Sequence, residues 1–150
     1  MALIPPADSQ KLRDILAQQM VGNVYITLLN EPGGGLVLPG RPERAYGEVD
    51  ELMTEMAELS PKLHVETINV REAPERLQEY GVGDAPVIVF ERDGRRNVRF
   101  FGFPGGHEFS NLLQTIIAVS RGEAGLPEGF IQEVNALPGP LHLQVFVTPT

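Results

Sequence analysis

The chain has 150 residues, 42% of them hydrophobic and 21% charged, and a formal net charge of −8, which suits one soluble domain with a short additional segment. The negative field repels phosphate backbones, and no apolar run approaches the roughly 20 residues of a membrane helix, so neither nucleic acid nor a membrane is an expected partner. There is no cysteine, which excludes disulfides, thiolate nucleophiles and thiolate metal sites.

The first predicted elements are a helix and a buried strand. Asp8 is a candidate N-cap, Gly22 a candidate end, and the apolar residues between them have helical spacing (Leu12, Ile15, Leu16 and Met20). Residues 23–29 are rich in β-branched and aromatic side chains, which predicts a strand buried on both faces. Residues 30–44 are rich in glycine and proline and predict a long loop.

The middle of the chain predicts a helix, a strand and a short second helix. An apolar stripe at helical spacing ends before Ser60-Pro61 (Val49, Leu52, Met53, Met56 and Leu59). Residues 63–70 then predict a strand, and residues 74–80 predict a short helix.

A β-hairpin and a strong helix follow. Residues 85–90 are an apolar run of strand length, Asp93-Gly94 is typical of a hairpin turn, and residues 97–103 predict the returning strand. That strand carries three phenylalanines that we expect in the core (Phe100, Phe101 and Phe103). The clearest helical stripe comes next (Phe109, Leu112, Leu113, Ile116 and Ile117).

The last part of the chain predicts a linker and one further strand. Residues 121–140 form a linker with a short amphipathic helix, and residues 141–147 predict a strand. Because a lone strand cannot bury both faces, we divide the chain into a unit of residues 1–120, the linker, and residues 141–150 as the first strand of a truncated second unit.

Three segments carry a family resemblance. Gly83-Asp84-Ala85-Pro86 before a strand, the run FFGFPGGHEF at residues 100–109 and VFVTPT at residues 145–150 resemble the glutaredoxin-like protein disulfide oxidoreductases, two-unit proteins known from thermophilic archaea and bacteria. The N-terminal domain of the alkyl hydroperoxide reductase flavoprotein subunit is a related arrangement whose first unit also lacks cysteines. The resemblance implies an α/β, thioredoxin-like fold with a central mixed sheet of about four strands flanked by helices, a linker helix and one extra C-terminal strand.

The resemblance also locates the place where redox chemistry would occur. In the family a C-x-x-C motif follows the first strand of each unit, and here that region is the loop of residues 30–44 leading into Glu43 and Tyr46. Dithiol chemistry is therefore excluded in this unit. Glu43, Tyr46 and Glu48 are candidate acid–base groups there, although surface carboxylates at a helix start are the simpler interpretation.

Ala85 and Pro86 are the candidate docking residues. Pro86 matches the family's cis-proline, which lies beside the motif and exposes a backbone edge to an extended substrate peptide. The alternative interpretation is a fixed turn that leads into a strand.

The other candidate sites are weaker. Gly33-Gly34-Gly35 lacks the Gly-Lys-Ser/Thr of a phosphate-binding loop, so a flexible loop is the better interpretation. His64, His107 and His142 share no motif, and we expect neither a metal site nor a cofactor.

We therefore interpret the chain as a redox-inactive thioredoxin-like scaffold or docking unit without catalytic residues, and we expect it in the cytoplasm. The alternative is half of an active thiol–disulfide oxidoreductase, because the family's second unit places Cys-Pro-Tyr-Cys directly after a Thr-Pro-Thr like residues 148–150, so that its C-x-x-C would lie beyond Thr150. Whether the full-length protein is an enzyme stays open. The expected partners are a protein or peptide, a second thioredoxin-like unit, and a second copy bound through residues 141–147.

Overall fold

The computed structural model describes residues 3–31 and 46–147. In chain order the elements are α1 (Pro6–Gln19), β1 (Val24–Asn30), α2 (Tyr46–Ala57), β2 (Leu63–Asn69), α3 (Glu75–Glu79), β3 (Val87–Arg92), β4 (Arg95–Phe101), α4 (His107–Arg121) and α5 (Glu128–Asn135). Each predicted helix is present. The predicted cap of the first helix was wrong, because α1 begins at Pro6 with Pro5 as its N-cap, which leaves Asp8 in the first turn, 3.3 Å from the Lys11 ammonium.

The strands form one mixed sheet in the order β2-β1-β3-β4. β1 runs parallel to β2 and antiparallel to β3, and β3 runs antiparallel to β4. The β3–β4 hairpin turns at Asp93 and Gly94, whose φ angles of 51° and 74° place both in the left-handed region that a two-residue hairpin turn requires. The predicted hairpin and the four-stranded α/β architecture are confirmed.

The two faces of the sheet are covered unequally. Side chains of α1, α2 and α4 pack on one face, around Ile26, Leu28 and Phe90. The smaller cluster on the other face gathers Leu29, Val87 and Val89 under Tyr80 and Val82, which follow the short helix α3.

This unequal cover corrects one prediction. Phe101 is 60% exposed, so it is not in the core. β1 is buried on both faces as predicted except at Tyr25, which is 51% exposed. Both side chains lie on the sheet face that has little helical cover.

Cationic side chains bind the C-terminal ends of α1 to α4. A helix leaves its last carbonyl groups without intrahelical donors, and its C-terminus carries partial negative charge. In each case the donor comes from a distant part of the chain: Arg121 Nε to Gln19 O (3.2 Å), Lys62 Nζ to Met20 O (2.9 Å), Arg13 Nη1 to Glu58 O (2.6 Å), Arg99 Nη2 to Tyr80 O (2.9 Å), and Arg92 Nη1 to Val119 O (3.0 Å) and Ser120 O.

Residues 122–147 lie apart from this packed body. Every one of them is exposed, and α5 has no buried residue. Residues 141–147, predicted as a strand, carry no regular secondary structure, because no neighbouring strand offers them hydrogen bonds within the described chain. We call residues 126–147 the C-terminal arm.

The arm repeats the way in which the chain begins. Pro5 precedes α1 with φ −57° and ψ 141°, and Pro127 precedes α5 with φ −56° and ψ 140°. The carbonyl of each proline accepts hydrogen bonds from the amides three and four residues later. An apolar seven-residue segment follows each helix, namely β1 and residues 141–147. The arm therefore repeats the proline-capped start of α1 and an apolar segment after the helix, but this segment forms no strand.

Candidate functional site

The candidate site lies where β1 ends, β3 begins and α2 starts. Leu29 pairs with Val87 in the antiparallel ladder, so Pro86, directly before β3, lies beside the end of β1. The Ala85–Pro86 peptide bond is cis, as the resemblance implies. Glu43, the other residue assigned to the degenerate motif region, lies outside the described residues.

The turn at Ala85 and Pro86 is buried and tied into the fold. The Ala85 amide donates a hydrogen bond to Asp84 Oδ1 at 2.9 Å. The Pro86 carbonyl accepts one from the Gly102 amide at 3.0 Å, which links the turn to the residue after β4. An incoming peptide would therefore have to compete with the Asp84 carboxylate for the Ala85 amide.

Asn30 connects the end of β1 to the start of α2, and sequence reasoning missed it. Its side chain is fully buried, and its Nδ2 donates a hydrogen bond to the Tyr46 carbonyl at 2.9 Å. Its own carbonyl accepts from the Val70 amide at 2.9 Å, while its Oδ1 has no hydrogen-bond partner among the described residues. A polar residue at the end of an apolar strand was the available signal, because buried amides are usually bonded.

Tyr46 belongs to the same neighbourhood as Ala85. Its side chain packs against the apolar cluster that contains Leu29, Ala85 and Val87. The structure thus brings the Ala85–Pro86 turn and the start of α2 together, and the Tyr46 side chain serves there as packing. Glu48 is exposed in the first turn of α2, which agrees with the simpler interpretation of a surface carboxylate.

The histidines lie on separate elements. The His64 ring on β2 stacks on Tyr25 with centroids 4.8 Å apart, His107 begins α4, and His142 lies in the arm. Within residues 3–31 and 46–147 no three His, Asp or Glu side chains are placed to hold a metal ion.

A polar cluster covers part of the second sheet face. The hydroxyl groups of Tyr80 and Thr27 share a hydrogen bond, with their oxygen atoms 3.3 Å apart. The Arg96 guanidinium lies 4.8 Å from the centroid of the Tyr80 ring. The hydrogen bond from Arg96 to the Glu91 carboxylate, with a smaller contribution from Tyr80, raises the pKa of Arg96 above its ordinary value. The guanidinium lies over the Tyr80 ring in a cation–π contact, which is a packing role.

Sequence comparison finds relatives, although no protein-family profile matches the chain. The AhpF subunit of alkyl hydroperoxide reductase from Staphylococcus aureus is 30% identical over 104 residues, and so is that of Staphylococcus epidermidis. The match covers 69% of this chain and 18% of each relative, so the chain spans less than a fifth of their length.

Comparison with solved structures extends over most of the chain. The protein disulfide oxidoreductase of Aeropyrum pernix matches with a TM-score of 0.74 at 23% identity and covers 91% of this chain and 56% of that one. The NTD_N/C domain of alkyl hydroperoxide reductase AhpF from Enterococcus faecalis matches with 0.71 at 24%, covering 89% and 61%. A poplar thioredoxin h matches 77% of this chain with a TM-score of 0.50 at 17% identity.

The chain has a thioredoxin-like fold. The predicted resemblance is confirmed in sequence for the AhpF subunit of alkyl hydroperoxide reductase and in fold for a protein disulfide oxidoreductase. It has no cysteine with which to form the family's C-x-x-C. Among its described helices, none has the length and hydropathy needed to cross a bilayer.

Proposed function

We propose that this thioredoxin-like unit is a redox-inactive scaffold that supports a second thioredoxin-like unit in a larger protein. The observation that carries the proposal is the combination of a fully packed thioredoxin-like core with the absence of any cysteine in 150 residues. Thiol–disulfide exchange requires a thiolate that attacks a sulfur atom, so the dithiol chemistry must come from elsewhere.

The C-terminal arm supports the second half of the proposal. In α1 the side chains of Leu12 and Leu16 are buried in the core, whereas no residue of α5 is buried, although both helices follow a proline N-cap of the same geometry. A helix and a following apolar segment with their apolar side chains exposed are what a second thioredoxin-like unit would cover. The Aeropyrum pernix and Enterococcus faecalis structures reported above are larger than this chain, which covers 56% and 61% of them.

An insulin-reduction assay with dithiothreitol tests the inactive half of the proposal. The 150-residue chain should give no rate above that of dithiothreitol alone, with a thioredoxin as the positive control. Turnover above that background would contradict the proposal, because no residue of this chain can form the mixed disulfide.

A longer version of the protein tests the supporting half. If residues beyond Thr150 carry a C-x-x-C, that protein should reduce insulin, and weakening the first unit should lower the midpoint of its thermal inactivation. Leu16→Ala in the core is suitable for this purpose, since Leu16 is fully buried. The matched change Val21→Ala, at a side chain that is 67% exposed, should leave the inactivation midpoint unchanged. Equal inactivation midpoints for the two variants would contradict a supporting role.

Peptide docking at Ala85 and Pro86 is a second proposal for the same unit. The buried turn beside the end of β1 supports it, and the Ala85 amide bonded to Asp84 limits it. Titration with an extended peptide should shift the NMR signals of the amides at positions 85 and 87. Asp84→Ala should strengthen the binding, because the competing carboxylate is gone, whereas Asp93→Ala at the hairpin should not. Unchanged signals at saturating peptide would overturn this docking site.

A further inference from the structure

The C-terminal arm exposes more apolar surface than a monomeric protein usually leaves in water. Ten large apolar side chains of the arm are 42–89% exposed (Leu126, Phe130, Ile131, Val134, Leu137, Leu141, Leu143, Val145, Phe146 and Val147). Large contiguous apolar patches of this kind mark interaction surfaces. The arm has 22 residues, and a stable interface uses about 20–30 residues from each partner.

Two open sheet edges are available to residues 141–147, and they differ in charge. β2 itself carries the acidic Glu66. The neighbouring helix α2 carries four acidic residues and no basic one (Glu48, Asp50, Glu51 and Glu55). β4 carries Arg95, Arg96 and Arg99 and no acidic residue, although Arg96 is paired with the neighbouring Glu91 and Glu79. The arm itself has Glu128 and Glu133 and no lysine or arginine, so its charge is repelled by the β2 edge and attracted by the β4 edge.

A groove runs beside β4 on the side of α4. Its volume is about 620 Å³, and its lining combines an apolar floor of Val98, Ala118 and Val119 with two cationic residues, Arg92 and Arg95, and two acidic ones, Asp93 and Glu123. The apolar floor suits the apolar side of an amphipathic helix such as α5. Gly122 and Ala124, which precede the arm, line the rim of the groove. The arm of the same chain does not fill the groove, since every one of its residues is exposed.

We propose that the 150-residue chain forms a two-fold symmetric dimer in which the arm of each copy docks on the β4 edge of the other. Residues 141–147 add as a fifth strand next to β4, and α5 covers the groove between β4 and α4. Exchange of both arms closes the assembly, so it stops at two copies. The inference rests on the proposed function, in which the arm belongs to a larger packed body, and applies to the chain without a second unit to cover the arm.

Mass and charge reversal test the dimer. Light scattering should give twice the 16.4 kDa of one chain. Arg95→Glu with Asn97→Glu, both at exposed positions of β4, should raise the dissociation constant about tenfold or more, and Glu128→Arg with Glu133→Arg should do the same. A mixture of these two double variants should recover a heterodimer. The matched reversal His64→Glu with Glu66→Arg on β2 should leave the dissociation constant unchanged.

Cross-linking tests whether the arm of a second copy lies on the β4 edge. The lack of native cysteines makes each introduced cysteine unique. Mixed Asn97→Cys and Gln144→Cys chains should join through a short bismaleimide into a heterodimer, whereas Glu66→Cys and Gln144→Cys chains should not. A linked monomer from the chain carrying both Asn97→Cys and Gln144→Cys would show that each arm folds back on its own β4 and would overturn the dimer. A mass of one chain at high concentration would also overturn it, while the insulin assay would still report separately on the proposed function.

Discussion

At the residue scale, four of the eight described arginines cap helix C-termini, namely Arg13, Arg92, Arg99 and Arg121. Arg92, for example, donates to Val119 O and Ser120 O in the last turn of α4. The positive charge also offsets the partial negative charge of the helix end. Sequence reasoning could not assign these roles, because donor and acceptor are separated by 19–102 residues and no local pattern connects them.

Arg92→Met should lower the free energy of unfolding by about 1.5–3 kcal/mol, since hydrogen bonds from a charged donor are lost at a partly buried helix end. Arg95→Met, on the same hairpin but exposed, is the matched control and should change it by less than about 0.5 kcal/mol. Urea denaturation of dilute protein measures both. Equal losses in the two variants would contradict the capping role.

Glu55 ties the beginning of the chain to α2. Its two carboxylate oxygens accept hydrogen bonds from the Leu3 and Ile4 amides at 2.7 and 2.8 Å, and Ile4 is buried in the core. Glu55→Ala should therefore cost about 1–3 kcal/mol of unfolding free energy. Glu58→Ala, one residue past the helix, serves as the control in the same urea titration and should stay near the wild-type value.

The candidate site was only partly predictable from its residues. The resemblance located Ala85 and Pro86, and the structure places them beside the end of β1 as expected. Asn30 escaped prediction because it stands at the border of a strand and a glycine-rich loop, where polar residues are ordinary. Tyr46 was assigned to the degenerate motif by position, and its packing against the cluster of Ala85 and Val87 could not be known without the fold.

At the element scale, periodicity predicted the helices and the four sheet strands, with ends displaced by a few residues. The stripe of Val49, Leu52, Met53 and Met56 is buried as predicted, because a helix on a sheet must bury one face. Residues 141–147 show the limit of such reasoning. Their apolar pattern suits a strand, but a strand forms only beside another strand, and pattern alone does not supply the neighbour.

The β3–β4 hairpin depends on the backbone freedom of its turn. Gly94 has a φ of 74°, which an L-residue adopts at a cost, while no atom lies within 4 Å of the place where a side-chain carbon would be added. Gly94→Ala should therefore destabilise the fold by about 1 kcal/mol through the backbone alone. Gly83→Ala, also in open space but without a positive φ, is the control, and thermal unfolding followed by circular dichroism compares the two variants.

At the scale of the whole molecule, the chain divides at Gly122 into a packed body and an exposed arm. Limited proteolysis of dilute protein, where the arm has no partner, should cut first within residues 122–147 and leave a fragment that ends near the C-terminus of α4. At high concentration the proposed dimer should slow this cleavage. First cuts inside α4 or the sheet would contradict the division.

The helix caps have a further consequence for how the body opens. Each cap joins a helix end to a different element, so fraying of α4 frees Arg92 of the hairpin, and fraying of α1 frees Arg121 of α4. Local opening events in the body are therefore coupled to one another, and its slowest amides should exchange with solvent deuterium only on global unfolding. The carbonyls at the end of α5 receive no cationic side chain among the described residues, and its amides should exchange orders of magnitude faster. We therefore expect the body to unfold as one cooperative unit and the arm to melt independently of it.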